Sequence, residues 1–235
     1  MSLSTSVHDI KMLVLSSHPI IVIETVEEDR VRSLLLSVAA QLRMPFFEWS
    51  VTRGLTRAEE PNAIYRITAN PLALLQHLDG LTVAGIFLLK DLSRHLEDAA
   101  TARQFRELAE RFTQRRSTSV LTGETVQLPG EIQQEAVRYD LRLPDQDELL
   151  TVINHVLTSL GKNPLRDVQL APLDCEELLR ALQGLTLNQA RQAVSQAVLE
   201  DGKLTATVVH DVLNRKAQAI REGGLLEYYP VEDNR

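Results

Sequence analysis

The chain has 235 residues, 44% hydrophobic and 24% charged, enough for one large domain or a domain with a small satellite. Its formal charge of −7 argues against a primary nucleic-acid binder, whose domain is usually basic. The single cysteine, Cys175, excludes an internal disulfide and a cysteine metal cluster, and the six histidines are scattered without a pair at metal spacing. No apolar run approaches the roughly 18 residues of a membrane span. Met1-Ser2-Leu3-Ser4 lacks the charged region and apolar block of a secretory signal. A cytosol-like compartment is the expectation.

In chain order, Val7 to Leu15 reads as a short helix with Val7, Ile10, Leu13 and Val14 near one face. Ile20 to Glu24 is a continuous apolar, β-branched run bounded by Pro19, the pattern of a strand buried on both faces. A helix opens at Asp29 or a neighbouring acid and runs to about Leu42, with Val31, Leu34, Leu35, Val38, Ala39 and Leu42 as its apolar stripe. Phe46 to Val51 is the next strand. Thr52 to Asn62 is a polar excursion, Ile64 to Ile67 a short hairpin strand, and Pro71 to Leu78 a helix with proline in its first turn. Gly85 to Leu89 is another buried strand, ending in the charges Lys90 and Asp91. Ala99 to Arg116 is an amphipathic helix carrying Ala102, Phe105, Leu108, Ala109 and Phe112 at helical spacing. Ser119 to Thr122 is a short strand. Leu128-Pro129-Gly130 turns into a helical stub, and Val137 to Leu141 is the last strand, closed by Pro144.

After Pro144 the pattern is helical throughout: Asp145–Leu160, Leu173–Leu182, Leu187–Leu199 and Thr205–Arg221, separated by Gly161 and Pro164, Gly184 and Gly202. Strand–helix alternation before that point implies a mostly parallel sheet with helices on both faces. The chain therefore divides into an α/β domain at 1–143, a small all-helical domain at 144–222 and a linker at 223–235.

The turn after the first strand carries the most information. A phosphate-binding turn needs glycines, so that backbone N–H groups can wrap the anion, and a lysine for the outer phosphates. Here the turn has no glycine and three successive carboxylates, Glu27, Glu28 and Asp29. Acids suit a helix N-terminus but repel a triphosphate. Gly161-Lys162 and Gly202-Lys203 lack the remaining residues of a phosphate loop.

The order of elements resembles an AAA+ ATPase module, a P-loop NTPase-like sheet followed by a helical lid. Ile20-Ile21-Val22-Ile23-Glu24-Thr25-Val26-Glu27-Glu28, Trp49-Ser50-Val51-Thr52-Arg53-Gly54-Leu55, Phe87-Leu88-Leu89-Lys90-Asp91-Leu92 and Tyr139-Asp140-Leu141-Arg142-Leu143-Pro144-Asp145 narrow it further. They resemble the AAA-domain proteins of cyanobacteria and algal plastids known as hypothetical chloroplast open reading frame proteins, over nearly the whole chain. In that family an intact ATPase module follows such an N-terminal half, and the Ala217–Arg235 stretch, with Gly223 to Pro230 inside it, looks like the linker into it.

The resemblance places the vestigial phosphate loop near Arg30-Val31-Arg32, where a plain surface turn is the simpler reading. The acids that hold Mg and activate water become Lys90-Asp91, and a cation there opposes a metal ion. Asp91 alone reads as a helix or turn cap. Thr125 falls at the polar sensor position after the fourth strand. The arginine-finger region offers only Arg138, with Arg142 beyond it and solvated surface charge as the alternative, and Arg191 lies in the lid's sensor region, where Thr186 as N-cap and an exposed face suffice.

The leading expectation is a non-catalytic docking, oligomerising or regulatory half of an AAA ATPase, with no cofactor of its own. ATP and Mg belong to the family's intact module. The implied partners are that downstream module, other copies of the chain, or a protein substrate, in the cytoplasm or plastid stroma. A weakly nucleotide-binding ATPase and a clamp-loader-like replication subunit are the alternatives.

Overall fold

A computed structural model describes residues 3–58, 60–159 and 172–201, together with the helical positions 211, 214, 217 and 218. The chain forms two compact units, Met1–Arg142 and Leu143–Arg235.

The first unit opens with helix α1 (Leu3–Leu15), strand β1 (Ile20–Glu24), helix α2 (Glu28–Leu42) and strand β2 (Phe46–Ser50). Strands β3 (Gly54–Arg57) and β4 (Glu60–Tyr65), a 3-10 turn at Arg66–Ala69 and helix α3 (Pro71–Gly80) follow. Then come strand β5 (Ile86–Lys90), a 3-10 turn at Leu92–His95, helix α4 (Ala99–Arg115), strand β6 (Thr118–Gly123), the one-turn helix α5 (Gly130–Gln133) and strand β7 (Ala136–Arg138).

The sheet order is β4-β3-β2-β5-β6-β1-β7. β1 lies between β6 and β7, pairing in parallel with both, with Ile20 beside Ser119 on one side and Ala136 on the other. β5 runs parallel to β2 and β6, while β3 and β4 are antiparallel additions at the β2 edge. The central position of β1 follows from its composition. Successive side chains of a strand face opposite ways, so the four consecutive apolar residues Ile20–Ile23 must be covered on both faces. Ile20 and Val22 pack with Leu74, Leu78, Phe105 and Phe112 of α3 and α4. Ile21 and Ile23 pack with Ile10, Val31, Leu34 and Val38 of α1 and α2. β5 divides the same way, Phe87 and Leu89 to one layer, Ile86 and Leu88 to the other. Ile21, Ile23, Phe87 and Leu89 are all fully buried, as a two-sided sheet requires.

The sequence pattern and the structure differ at three places. The polar excursion at 52–62 contains β3 and the start of β4, so the hairpin begins well before Ile64. Long-range bonds hold it: the indole Nε1 of buried Trp49 donates to the Thr68 carbonyl at 2.6 Å, and the Thr68 hydroxyl accepts from the Leu55 N–H at 2.7 Å. The last strand stops at Arg138 rather than Leu141. Its final ladder bond runs from the Tyr139 N–H to the Val22 carbonyl, 2.8 Å, and the chain then turns toward the start of α2. Finally, α1 starts four residues earlier than its apolar stripe implies.

The second unit contains helices α6 (Gln146–Ser159), α7 (Pro172–Leu182) and α8 (Leu187–Asp201) around a core that includes Leu149, Ile153, Leu178, Leu182, Val194 and Val198. Two of these helices begin with reciprocal caps. At α6 the Glu148 N–H donates to Asp145 Oδ1 at 2.9 Å and the Asp145 N–H to Glu148 Oε2 at 3.2 Å. At α8, Thr186 and Gln189 exchange the same pair of bonds, 3.0 and 3.2 Å. The expected helix Thr205–Arg221, apart from the four helical positions named above, and the linker 223–235 lie outside the described residues.

Candidate functional site

In an open α/β sheet, ligands bind at the carboxyl ends of the strands, where the connections diverge to opposite sides. Here β1 leads across the sheet to β2 and β6 leads over β1 to β7, so that point lies at the ends of β1 and β6.

The turn leaving β1 is short. Only Thr25, Val26 and Glu27 separate Glu24 from the first residue of α2. A phosphate loop of the Gly-x-x-x-x-Gly-Lys-Ser/Thr kind spans about eight residues. The backbone here is also committed elsewhere. The Thr25 N–H donates to the Gly123 carbonyl at 2.8 Å, and the Glu27 N–H to Thr25 Oγ1 at 2.9 Å.

A network of side chains joins the end of β5 to α2 and β2. Lys90, at the end of β5, places its Nζ 2.7 Å from Glu48 Oε1 and 3.4 Å from Glu28 Oε2. Glu48, on β2, also accepts from Arg32 Nε of α2 at 2.8 Å. Two carboxylates and two cations thus tie α2, β2 and β5 together. Burial pushes the Glu48 carboxyl up, but hydrogen bonds from Lys90 and Arg32 outweigh it and hold it below the ordinary glutamate range. Burial likewise pushes the Lys90 ammonium down, and its bonds to Glu48 and Glu28 overcome this and raise it. Acids thus stand at the N-terminus of α2 and a cation at the end of β5.

A second cluster lies beside the turn. Arg30 and Glu27 are both buried, so a plain surface turn does not describe this segment. Arg30 Nη1 donates to the backbone carbonyl of Arg142 at 2.7 Å and lies 3.5 Å from Glu27 Oε2. Val31 faces away, into the core between α2 and the sheet.

Asp91 stands before the 3-10 turn at φ 53°, ψ 16°, but its side chain makes no cap bond. It occupies the N-cap position through its backbone, its carbonyl accepting from the Arg94 N–H at 3.2 Å, and its carboxylate pairs with Arg94 Nε at 3.2 Å. Thr125 is exposed and lines an open groove of ≈ 500 Å³ with Arg94, Glu97, Gln127 and Leu128 among its walls. Arg138 is tethered: Nη1 lies 2.9 Å from Glu24 Oε1 and Nη2 donates to the Val126 carbonyl at 2.8 Å. The Val126 N–H, also bonded to Glu24, and then Arg138 hold the Glu24 carboxyl low. Arg142 reaches Asp9 Oδ2 at 3.1 Å while remaining largely exposed. Arg191 is exposed on α8, in the second unit. The structure thus joins Arg32 and Lys90 through Glu48, and Arg30 to the backbone of Arg142. Thr125, Arg138 and Arg191 belong to neither cluster.

Glu48 and Glu24 are the residues sequence reasoning missed. Glu48 stands between aromatic residues in β2 and Glu24 ends the apolar run of β1, and those acids were the available signal. Among the described residues no group of three or more metal-ligating side chains converges.

The sequence matches the family model of the SpoVK-like AAA ATPase N-terminal domain over residues 6–141 and that of the second domain over residues 147–223. The chain belongs to this family. Two curated relatives are the AAA domain-containing ycf46 proteins of Trieres chinensis and Guillardia theta. The first is 28% identical over 94% of this chain and 44% of its own length, the second 26% identical over 95% and 43%. The SpoVK-like chain described here therefore spans less than half the length of these relatives. Among solved structures, a chain of the E. coli MS115-1 HORMA:CdnC:Trip13 complex superposes with a TM-score of 0.55 at 15% identity, covering 91% of this chain and 88% of that one. The FIGL-1 AAA domain in complex with ADP gives a TM-score of 0.55 at 12% identity, covering 89% and 80%. At these identities the likeness establishes the AAA+ fold alone. No helix among the described residues is long and apolar enough to cross a membrane.

Proposed function

We propose that this SpoVK-like module is a non-hydrolysing half of a longer AAA ATPase, acting through its surface as a docking, oligomerising or regulatory element. The observation that supports the reading is the Glu28–Lys90–Glu48–Arg32 network, in which the cations at the end of β5 and on α2 are already paired with carboxylates. Binding a triphosphate needs unpaired donors and a loop that can wrap around it. Lys90 and Arg32 already hold carboxylates at 2.7 and 2.8 Å, and the turn after β1 is three residues long. In these terms both phosphate-loop and metal-acid motifs are degenerate, and ATP and Mg belong to another module.

The partner most consistent with this reading is the remaining half of the longer relatives or a second copy of the chain. Arg191 is exposed on α8, whereas for such contact Arg138 must first leave Glu24 and Arg142 must leave Asp9. A specific interface buries about 1,000 Å² or more. The test adds the intact ATPase half in trans and measures association and ATP turnover, with Arg138→Ala, Arg142→Ala and Arg191→Ala as interface variants. Association, with a change in turnover that the Arg142 or Arg191 variant weakens, is the expected result. An ATPase half that neither binds nor responds overturns the interaction reading.

A further inference from the structure

Arg30 occupies the third residue of α2, where a cation opposes the helix dipole and where glutamate or glutamine is the residue that serves the cap. Its placement there requires another cause. The side chain is 5% exposed, and its guanidinium reaches across 112 residues of sequence to the Arg142 carbonyl at 2.7 Å while remaining 3.5 Å from Glu27. Arg142 is the last residue of the first unit. The ladder of β7 has ended by then, its last bond being Tyr139 N–H to the Val22 carbonyl. Beyond that bond Arg30 holds the departing backbone from within the core side of the unit.

We propose that Arg30 is a buried pin that fastens the segment leaving the first unit to the opening turn of α2. The start of α2 then fixes the backbone that follows β7 as far as Arg142, independently of any nucleotide. The Arg142 side chain, bound to Asp9 at 3.1 Å on the exposed surface, plays a minor part because exposed pairs contribute little. A guanidinium is well matched to this position, since its fan of donors can satisfy a carbonyl and a carboxylate together, which a lysine ammonium on a shorter reach does not reproduce.

The experiment is native-state hydrogen exchange on the full chain, with limited trypsin cleavage after Arg142 as a second readout. Arg30→Met removes the donors and keeps an apolar stem. Arg30→Lys keeps a charge beside Glu27 and guards against a methionine variant that fails to fold. Arg142→Ala keeps the carbonyl and removes only the side chain. For both Arg30 variants, exchange of the Tyr139 amide, the last one of the segment bonded to β1, should accelerate at least tenfold and cleavage after Arg142 at least fivefold, with β5 and β6 amides unchanged. For Arg142→Ala, exchange at Tyr139 should stay within threefold of the parent. Uniform acceleration through the first unit, an unchanged Tyr139 amide in Arg30→Lys, or an Arg142→Ala profile matching that of Arg30→Lys would each overturn the pin.

Discussion

Replacing Lys90 by methionine removes the ammonium shared by Glu48 and Glu28 and leaves both carboxylates in place. Losing one partner of a buried ion pair costs about 3–5 kcal/mol, and of an exposed pair about 0–1 kcal/mol. Lys90 and Glu48 are 17% and 19% exposed, and Glu48 keeps Arg32 at 2.8 Å. The cost should therefore fall between those ranges, at about 2 kcal/mol. With a urea slope of about 1–3 kcal/mol per molar, that moves the midpoint down by roughly 1 M. The single tryptophan, Trp49, is fully buried next to Glu48 in β2, so its fluorescence follows the first unit alone. Pairing Lys90→Met with Glu48→Gln in a double-mutant cycle should return a coupling of about 1–3 kcal/mol. A midpoint unchanged in Lys90→Met, or a cycle with no coupling, would refute the view that these charges lock α2, β2 and β5.

Acid should erase the same advantage. The Glu48 carboxyl is held low in the folded chain, so its stabilisation is complete above the unfolded value of about 4.3 and disappears as the pH falls through the lower folded one. Lys90 is held high, so its share persists below the unfolded value of about 10.4 and is lost as the pH rises through the folded one. The gap between parent and Lys90→Met midpoints should be constant from about pH 5 to 9 and shrink below about pH 4; a gap undiminished at pH 3 contradicts the assignment. In the core, Ile23→Ala and Leu89→Ala should each cost about 2–5 kcal/mol by the same fluorescence assay, since both side chains are fully buried in the two-sided sheet. A loss under 1 kcal/mol at either position would contradict their central placement.

The sheet was legible because its central strands carry the information locally. The four consecutive apolar residues that open β1 and β5 must be covered on both faces, and they alternate between the two layers in the structure. The helix starts were legible for a similar reason, as the Asp145/Glu148 and Thr186/Gln189 boxes involve residues three apart. The β3–β4 hairpin was not, because a tryptophan and a threonine 19 residues apart help to hold it. The site was half legible. The missing glycines and the cation at position 90 stand in the sequence. That Glu48 binds both Arg32 and Lys90 depends on β2 lying beside β5, which no local pattern records. The burial of Arg30 was not legible, because its acceptor, a backbone carbonyl 112 residues away, has no sequence signature.

The most direct measurement of the central claim is isothermal titration of the chain with Mg-ATP at neutral pH and low salt. The Lys90–Glu48–Glu28–Arg32 network and the three-residue turn after β1 predict no binding tighter than millimolar, equivalent to about 4 kcal/mol or less of binding free energy. A micromolar dissociation constant, about 8 kcal/mol, would mean that a nucleotide finds unpaired donors here and would contradict the account.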